Sequence, residues 1–282
     1  MDYLEFLFFY TTENSFIGDL LAVELAEIGF ESFLEDEKGL KAYIPVEKWN
    51  EGALNEKLDS FPFAKGITYS QMHVTGQNWN EEWEKNYFQP IVIGGGCVIH
   101  STFHKDIPKA KYDIVIDPKM SFGTGHHETT SLMIEELLKV DLEEKSLLDM
   151  GCGTAVLAIL AAKKGANPIL AIDIEEWAYN NSLENIAMNG EPWIEVQKGG
   201  AELLENRFFD VILANINRNI LLEDMHKYTA CMKSGSELYM SGFYREDIPV
   251  IDEEAKKHGL NQFSVNEKKR WVVVRYRKNK GN

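Results

Sequence analysis

Leu147-Leu148-Asp149-Met150-Gly151-Cys152-Gly153-Thr154 decides the fold: an apolar strand ends in two glycines one residue apart, and the Ala-rich stretch Ala155 to Lys164 behind them reads as a helix. Glycine adopts positive φ at no steric cost and has no Cβ to block a ligand, so strand, glycine turn and helix together suit a cofactor bound closely against backbone. In open α/β sheets that place is the carboxyl edge of the strands. The spacing is GxG and lacks the third glycine of the dinucleotide fingerprint GxGxxG.

Outward from this turn the pattern alternates. Downstream, strands are predicted at Ile169 to Ile174, Ile194 to Gln197, Phe209 to Ala214 and Ser236 to Ser241, with helices at Glu175 to Met188, Leu221 to Met232 and Ile248 to His258. Alternating β and α predicts a doubly wound, mainly parallel sheet covered on both faces. Two last strands, Gln262 to Val265 and Trp271 to Arg277, flank Asn266-Glu267-Lys268-Lys269-Arg270 and read as a hairpin, with an antiparallel strand at the sheet edge. About twenty residues past the glycines, Asp173 ends a strand where a carboxylate suits a ribose diol. NAD and S-adenosylmethionine sites share that logic, and the form LLDMGCG without a third glycine favours the methyl donor. Asn215 ends the strand Phe209 to Ala214 at the same edge, where it is either a turn former or a ligand contact.

Between a predicted strand Asp113 to Asp117 and a helix from Glu128 runs Asp117-Pro118-Lys119-Met120-Ser121-Phe122-Gly123-Thr124-Gly125-His126-His127-Glu128-Thr129-Thr130. Loops this dense in glycine, hydroxyls and imidazoles carry function more often than not. Adjacent histidines diverge and no HxxxH or distant cysteine pair completes a ligand set, so no metal is assigned. Thr129 and Thr130 stand at the helix start, where hydroxyls cap backbone amides or bind a carboxylate; capping is the expectation from the residues alone.

The first 76 residues read strand (Tyr3 to Thr12), helix (Phe16 to Gly29), strand (Phe30 to Glu35), strand (Leu40 to Pro45), helix (Val46 to Leu58), strand (Gly66 to Val74). That is the βαββαβ order of a ferredoxin-like domain. Its first helix is expected to bury Phe16, Leu20, Val23 and Ile28. Asn78 to Phe88, charged and carrying Trp79 and Trp83 at i and i+4, reads as a linker helix, and Ile91 to Ile93 with Val98 to Ser101 flank three glycines as a hairpin.

With 282 residues, 44% of them hydrophobic, the chain can bury a full core. The start lacks a basic segment ahead of a long apolar one, and the three cysteines Cys97, Cys152 and Cys231 stand far apart, so a cytoplasmic protein off the membrane is expected. A net charge of −16 argues against a grip on phosphate backbones, hence against direct nucleic-acid readout, and favours a basic macromolecular partner. Residues 1–76 hold 14 acids against 5 bases and concentrate that charge.

Taken together, these residues resemble the ribosomal protein L-eleven methyltransferase family. The likeness runs in order through Asn78-Trp79, Trp83 and Phe88-Gln89-Pro90, then Asp117-Pro118, Phe122-Gly123-Thr124-Gly125-His126 and Thr129-Thr130, then Asp149-Met150-Gly151-Cys152-Gly153, Asp173-Ile174 and Ala214-Asn215-Ile216. The resemblance implies a class I methyltransferase domain (91–282), a linker helix (77–90) and a ferredoxin-like substrate-recognition domain (1–76). It further implies S-adenosylmethionine contacts at Thr130, Gly151, Asp173 and Asn215, which for Thr130 displaces the capping expectation. The substrate it implies is a basic ribosomal protein, free or on the ribosome, methylated on lysine or N-terminal amines; no general base is assigned. Thr154-Ala155 and Asn217-Arg218-Asn219 depart from the family's usual residues. A small-molecule or RNA methyltransferase, or a non-catalytic ribosome-binding module, are the competing readings.

Overall fold

The computed structural model describes residues 3–10, 16–36, 39–64, 66–74, 89–117 and 122–279; the expected linker helix and the Pro118 to Ser121 part of the glycine-rich loop lie outside them. The chain divides into two compact units between Trp83 and Glu84.

In the first unit β1 (Tyr3–Phe9), α1 (Phe16–Glu27), β2 (Ser32–Asp36), β3 (Gly39–Pro45), α2 (Glu51–Ser60) and β4 (Thr68–Val74) follow in turn. The strands form an antiparallel sheet in the order β2-β3-β1-β4. Alternation along β1 sends Leu4, Phe6 and Phe8 into the core, where Phe6 meets Phe30, Trp49 and Tyr69 at ring distances of 5.3, 4.7 and 5.5 Å. Two expectations are corrected. The stretch predicted as one helix from Val46 is a single 3-10 turn at Val46–Lys48, and α2 starts after Asn50, whose side-chain oxygen accepts from the Gly52 and Ala53 amides at 2.9 and 3.2 Å. Among the described side chains of α1, Ile17, Leu21 and Leu25 are buried and Leu20 is 43% exposed; of the other expected positions Ile28 packs against the same core, and the Phe16 and Val23 side chains lie outside the described residues. The helix is apolar on more than one side, so periodicity alone could not choose the face.

The second unit opens with a small sheet of β5 (Ile91–Ile93), β6 (Cys97–His100) and β7 (Tyr112–Val115). Its main sheet has seven strands, β8 (Leu147–Met150), β9 (Ile169–Asp173), β10 (Glu195–Lys198), β11 (Phe209–Asn215), β12 (Met232–Tyr244), β13 (Leu260–Lys268) and β14 (Trp271–Lys278), in the order β10-β9-β8-β11-β12-β14-β13. The first five run parallel, as expected. Alternate residues feed two cores: Leu147, Ile169, Val211 and Leu213 pack under α3 (Glu128–Lys139) and α4 (Val156–Lys163). Leu148, Leu170, Ile212 and Ala214 pack under α6 (Arg218–Ala230) and α7 (Ile248–Lys257). Helix α5 (Glu176–Met188) contributes Ile186 to the first core.

The expected hairpin forms, and the antiparallel strand at the sheet edge is β13. β14 pairs antiparallel with both β12 and β13 and so lies inside the sheet. Val272, Val273 and Val274 are fully buried, an unbroken apolar run that needs cover on both faces, whereas the largely exposed β13 tolerates the edge. The strand order reverses between β8 and β11, and such a reversal opens a crevice at the carboxyl ends of those strands.

Neighbouring leucines on α1 test the corrected face. Leu21→Ala lowers the unfolding free energy by about 2 to 5 kcal/mol, whereas Leu20→Ala changes it by roughly 0.5 or less, measured by urea denaturation. Equal losses at the two positions would contradict the packing described.

Candidate functional site

The crevice is built on the turn after β8. Gly151 and Cys152 both donate their amides to the Ile172 carbonyl, at 2.8 and 3.0 Å, which draws the turn across the end of β9. Gly151 and Gly153 hold φ of +70° and +54°. A Cβ on Gly151 would stand 2.2 Å from Ile216 Cγ2, and one on Gly153 would stand 2.3 Å from the Phe122 carbonyl oxygen, so both positions require glycine for space as well as for φ.

Phe122 belongs to the glycine-rich loop, which clasps the turn. The Thr154 amide donates to the Phe122 carbonyl at 3.0 Å and the Thr154 hydroxyl to the Gly123 carbonyl at 2.7 Å. The departure at Thr154 therefore keeps a hydroxyl where the clasp needs one. Ala155 takes φ +63°, a left-handed backbone for a residue with a Cβ, and offers no side-chain cap to α4. Asp149, on the preceding strand, supplies the cap instead: its Oδ2 accepts from the Ala158 amide at 3.1 Å. Asp149 carried no assigned role in the sequence reading; an acid facing the first turn of a helix that lacks its own cap is the signal that was available.

Asp173 is buried, and its two oxygens accept from the Gly153 amide at 2.8 Å and the Glu175 amide at 3.0 Å. Each carboxylate oxygen keeps a further lone-pair direction, so the group remains an acceptor for a diol while it is held rigidly. Asn215, registered with Ser241 of β12, donates from Nδ2 to Thr130 Oγ1 at 3.4 Å. Its Oδ1 is buried without a partner, an orphan that a ligand donor would satisfy. The structure thus brings all four expected contacts, Thr130, Gly151, Asp173 and Asn215, to one strand edge.

Capping by the threonine hydroxyls is not what the structure shows. His127 is the N-cap of α3, its Nδ1 accepting from the Thr129 amide at 3.2 Å, which leaves Thr130 Oγ1 for Asn215. A second feature was missed on α5: Asn181, Asn185 and Asn189 stand at i, i+4 and i+8. Asn185 bridges the Asp117 amide (3.0 Å) and the Thr154 carbonyl (3.1 Å), Asn181 donates to the Asp117 carbonyl (2.8 Å), and Asn189 bonds both backbone groups of Val115. This amide row ties the end of β7 to the glycine turn. Among the described residues no cluster of metal-ligating side chains occurs, and the three cysteines are free and buried.

Burial pushes the Asp149 carboxyl up to about 7, opposed by the Ala158 amide and reinforced by the Asp173 carboxylate. Native Asp149 then keeps its proton over the window from about 4 to 7, where the unfolded chain has lost it, so stability falls as pH rises through that window and levels off above it. Asp149→Asn keeps an oxygen for the Ala158 amide and loses the titration. Its melting temperature gains on the wild type as pH rises from about 4 to 7 and the gain is flat above, by calorimetry; a pH-independent difference would contradict the assignment.

Residues 15–279 match the family described as Ribosomal protein L11 methyltransferase (PrmA). The ribosomal protein L11 methyltransferase of Bacteroides fragilis is 56% identical over 278 residues, covering 98% of this chain and 99% of that protein. The protein of the same name from Porphyromonas gingivalis is 47% identical, covering 92% and 90%. Among solved structures, the ribosomal protein L11 methylase of Lactobacillus delbrueckii subsp. bulgaricus aligns with a TM-score of 0.63 at 25% identity, over 68% of this chain and all of that one. With a clasped glycine turn, a held acid and an orphaned amide at the switch point of a class I methyltransferase sheet, the chain belongs to the ribosomal protein L11 methyltransferase family.

Proposed function

We propose that this chain transfers methyl groups from S-adenosylmethionine to lysine side-chain or N-terminal amines of a large-subunit ribosomal protein, in the cytoplasm. Methyl transfer follows from family membership, and the residues fit the donor. The buried Asp173 carboxylate is held at the strand edge with lone pairs to spare, and Asn215 Oδ1 is an orphaned buried acceptor at the same edge. That convergence at one strand edge is the observation that carries the reading. Thr130, Gly151, Asp173 and Asn215 are the contacts we assign to the donor, Asp173 to its ribose hydroxyls. The donor supplies an electrophilic sulfonium methyl.

The remaining work falls to the protein. The amine must arrive neutral, and releasing a proton at neutral pH costs a lysine roughly 4 to 5 kcal/mol and an α-amine about 1. Burial at the crevice lowers an amine's pKa, so no side chain is assigned as general base. Asn215 Oδ1, an acceptor, suits orienting an amine N-H. In-line alignment of two bound reactants contributes more than proton transfer in such a site.

The N-terminal unit, with its βαββαβ order and β2-β3-β1-β4 sheet, supports a ferredoxin-like domain over 1–76 for substrate recognition, joined through 77–90 to the donor-binding domain 91–282. Its acidity suits a basic protein free or on the ribosome, and the overall charge gives no support to direct nucleic-acid readout. No helix among the described residues is long and apolar enough to cross a membrane.

Incubation with tritiated donor and unmethylated ribosomal proteins places the label on one basic large-subunit protein; label in RNA, or none, overturns the reading. Asp173→Ala weakens donor binding about 100-fold in calorimetry, the loss of two hydrogen bonds to a charged acceptor. Unchanged affinity would remove Asp173 from the site.

A further inference from the structure

A row of aromatic rings runs from the glycine turn along the crevice. Phe122 and His127 lie 5.1 Å apart, His127 and Trp271 4.9 Å, and Trp271 and Tyr244 4.1 Å between ring centroids. The row comes from the glycine-rich loop, the N-cap of α3 and the paired strands β12 and β14, where Tyr244 and Trp271 are direct cross-strand partners. Its start is fixed to the glycine turn, since the Phe122 carbonyl accepts from Thr154. Its middle stands three residues before Thr130 on α3, and its far end stands three residues beyond Ser241, the partner of Asn215.

Phe122 and Tyr244, at the two ends of the row, are 50% and 42% exposed. One side of Tyr244 meets Trp271, and over the ring stands the Arg270 guanidinium at 5.5 Å, so the ring already holds a cation in the free protein. Arg270 is in turn paired with Glu246 at 2.6 Å in an ion pair with both side chains at least 60% exposed, which water and salt weaken. Further acids border the same residues: Glu128 with Lys269 at 2.8 Å, Asp247 with Arg218 at 2.5 Å, and Glu267 with Arg245. The rim is therefore a set of exchangeable carboxylate-cation pairs around an aromatic wall.

We propose that this row is the wall along which the acceptor lysine of the basic protein substrate reaches Asn215, its ammonium displacing Arg270 from Tyr244 and its methylene stem lying on Phe122 and Trp271. The inference rests on the protein-amine reading above and adds which residues select the acceptor. An aromatic face attracts a cation and packs against an alkyl chain at the same time, which matches a lysine and neither a neutral small molecule nor a phosphate. A net charge of −16 and the rim acids attract the same partner. The wall is touched in ground and transition states alike, so its loss raises KM and leaves kcat nearly constant.

The test measures methyl transfer from labelled donor to the purified ribosomal protein, with donor affinity measured separately by calorimetry on the full-length chain. Tyr244→Ala raises KM for the protein substrate about 10-fold, one increment of a desolvated cation-aromatic contact, while donor affinity stays within about 2-fold. Tyr244→Phe, which keeps the ring, restores KM, and Phe122→Ala raises it in the same direction. Unchanged KM in both alanine variants, with melting temperatures near the wild type, overturns the wall while leaving the function in place. Wild-type protein that binds donor but labels no ribosomal protein overturns the functional reading itself, and the wall with it.

Discussion

Two amide protons converging on one carbonyl hold this site together. Gly151 and Cys152 both donate to Ile172, and the bend this forces brings the turn so close to Ile216 and Phe122 that no Cβ fits at either glycine. Everything at the crevice is referred to that bend. It sets Gly153 against Asp173, so the acid is aimed by backbone before any ligand arrives, and it sets Thr154 against the loop that carries Phe122 and leads into α3. Positions held by backbone are more rigid than positions held by long side chains, which is what an in-line transfer between two bound molecules demands.

The same bend explains an expensive feature, a carboxylic acid buried below α4. Ala155 follows the turn in a left-handed conformation and has no oxygen with which to cap the helix, so the amide of Ala158 would be orphaned in an apolar core. Asp149 satisfies it from the neighbouring strand. Desolvation then drives that acid toward its neutral form, which removes most of the cost of burying it beside Asp173. Asp149 and Asp173 thus divide the labour: one supports the helix, the other faces the crevice.

How much was readable in advance follows from how local each cause is. The apolar runs of β8, β9 and β11 announce strands covered on both faces, and the glycine turn announces itself because space and φ both require glycine there. The convergence of Thr130 with Asn215 was reached through resemblance, since residues 85 positions apart carry no local sign of contact. What failed depended on tertiary context. The buried stripe of α1 is decided by the sheet beneath it, and the cap of α3 by an imidazole, a residue type that capping preferences do not favour. The asparagine row of α5 reads from sequence as an ordinary polar helix face; only the backbone of β7 lying against it turns it into a clamp.

The β13-β14 turn shows where stability stops explaining residue choice. Lys269 and Arg270 hold φ of +48° and +70°, a pair of left-handed residues where a two-residue hairpin favours Asn-Gly. Each costs about 1 to 2 kcal/mol relative to a residue at ease there. Their ion pairs, with Glu128 and Glu246, reach out from exposed cations, where water and salt screen them and little is returned. The ledger of the turn alone favours glycine, so the lysine and arginine are kept for where they put their charge. That place is the rim of the aromatic row, with Lys268 bonded to Ser131 on α3 at 3.0 Å and Arg270 over Tyr244. A strained turn that spends backbone energy to hold cations beside acids and an aromatic face belongs with the site rather than with the scaffold.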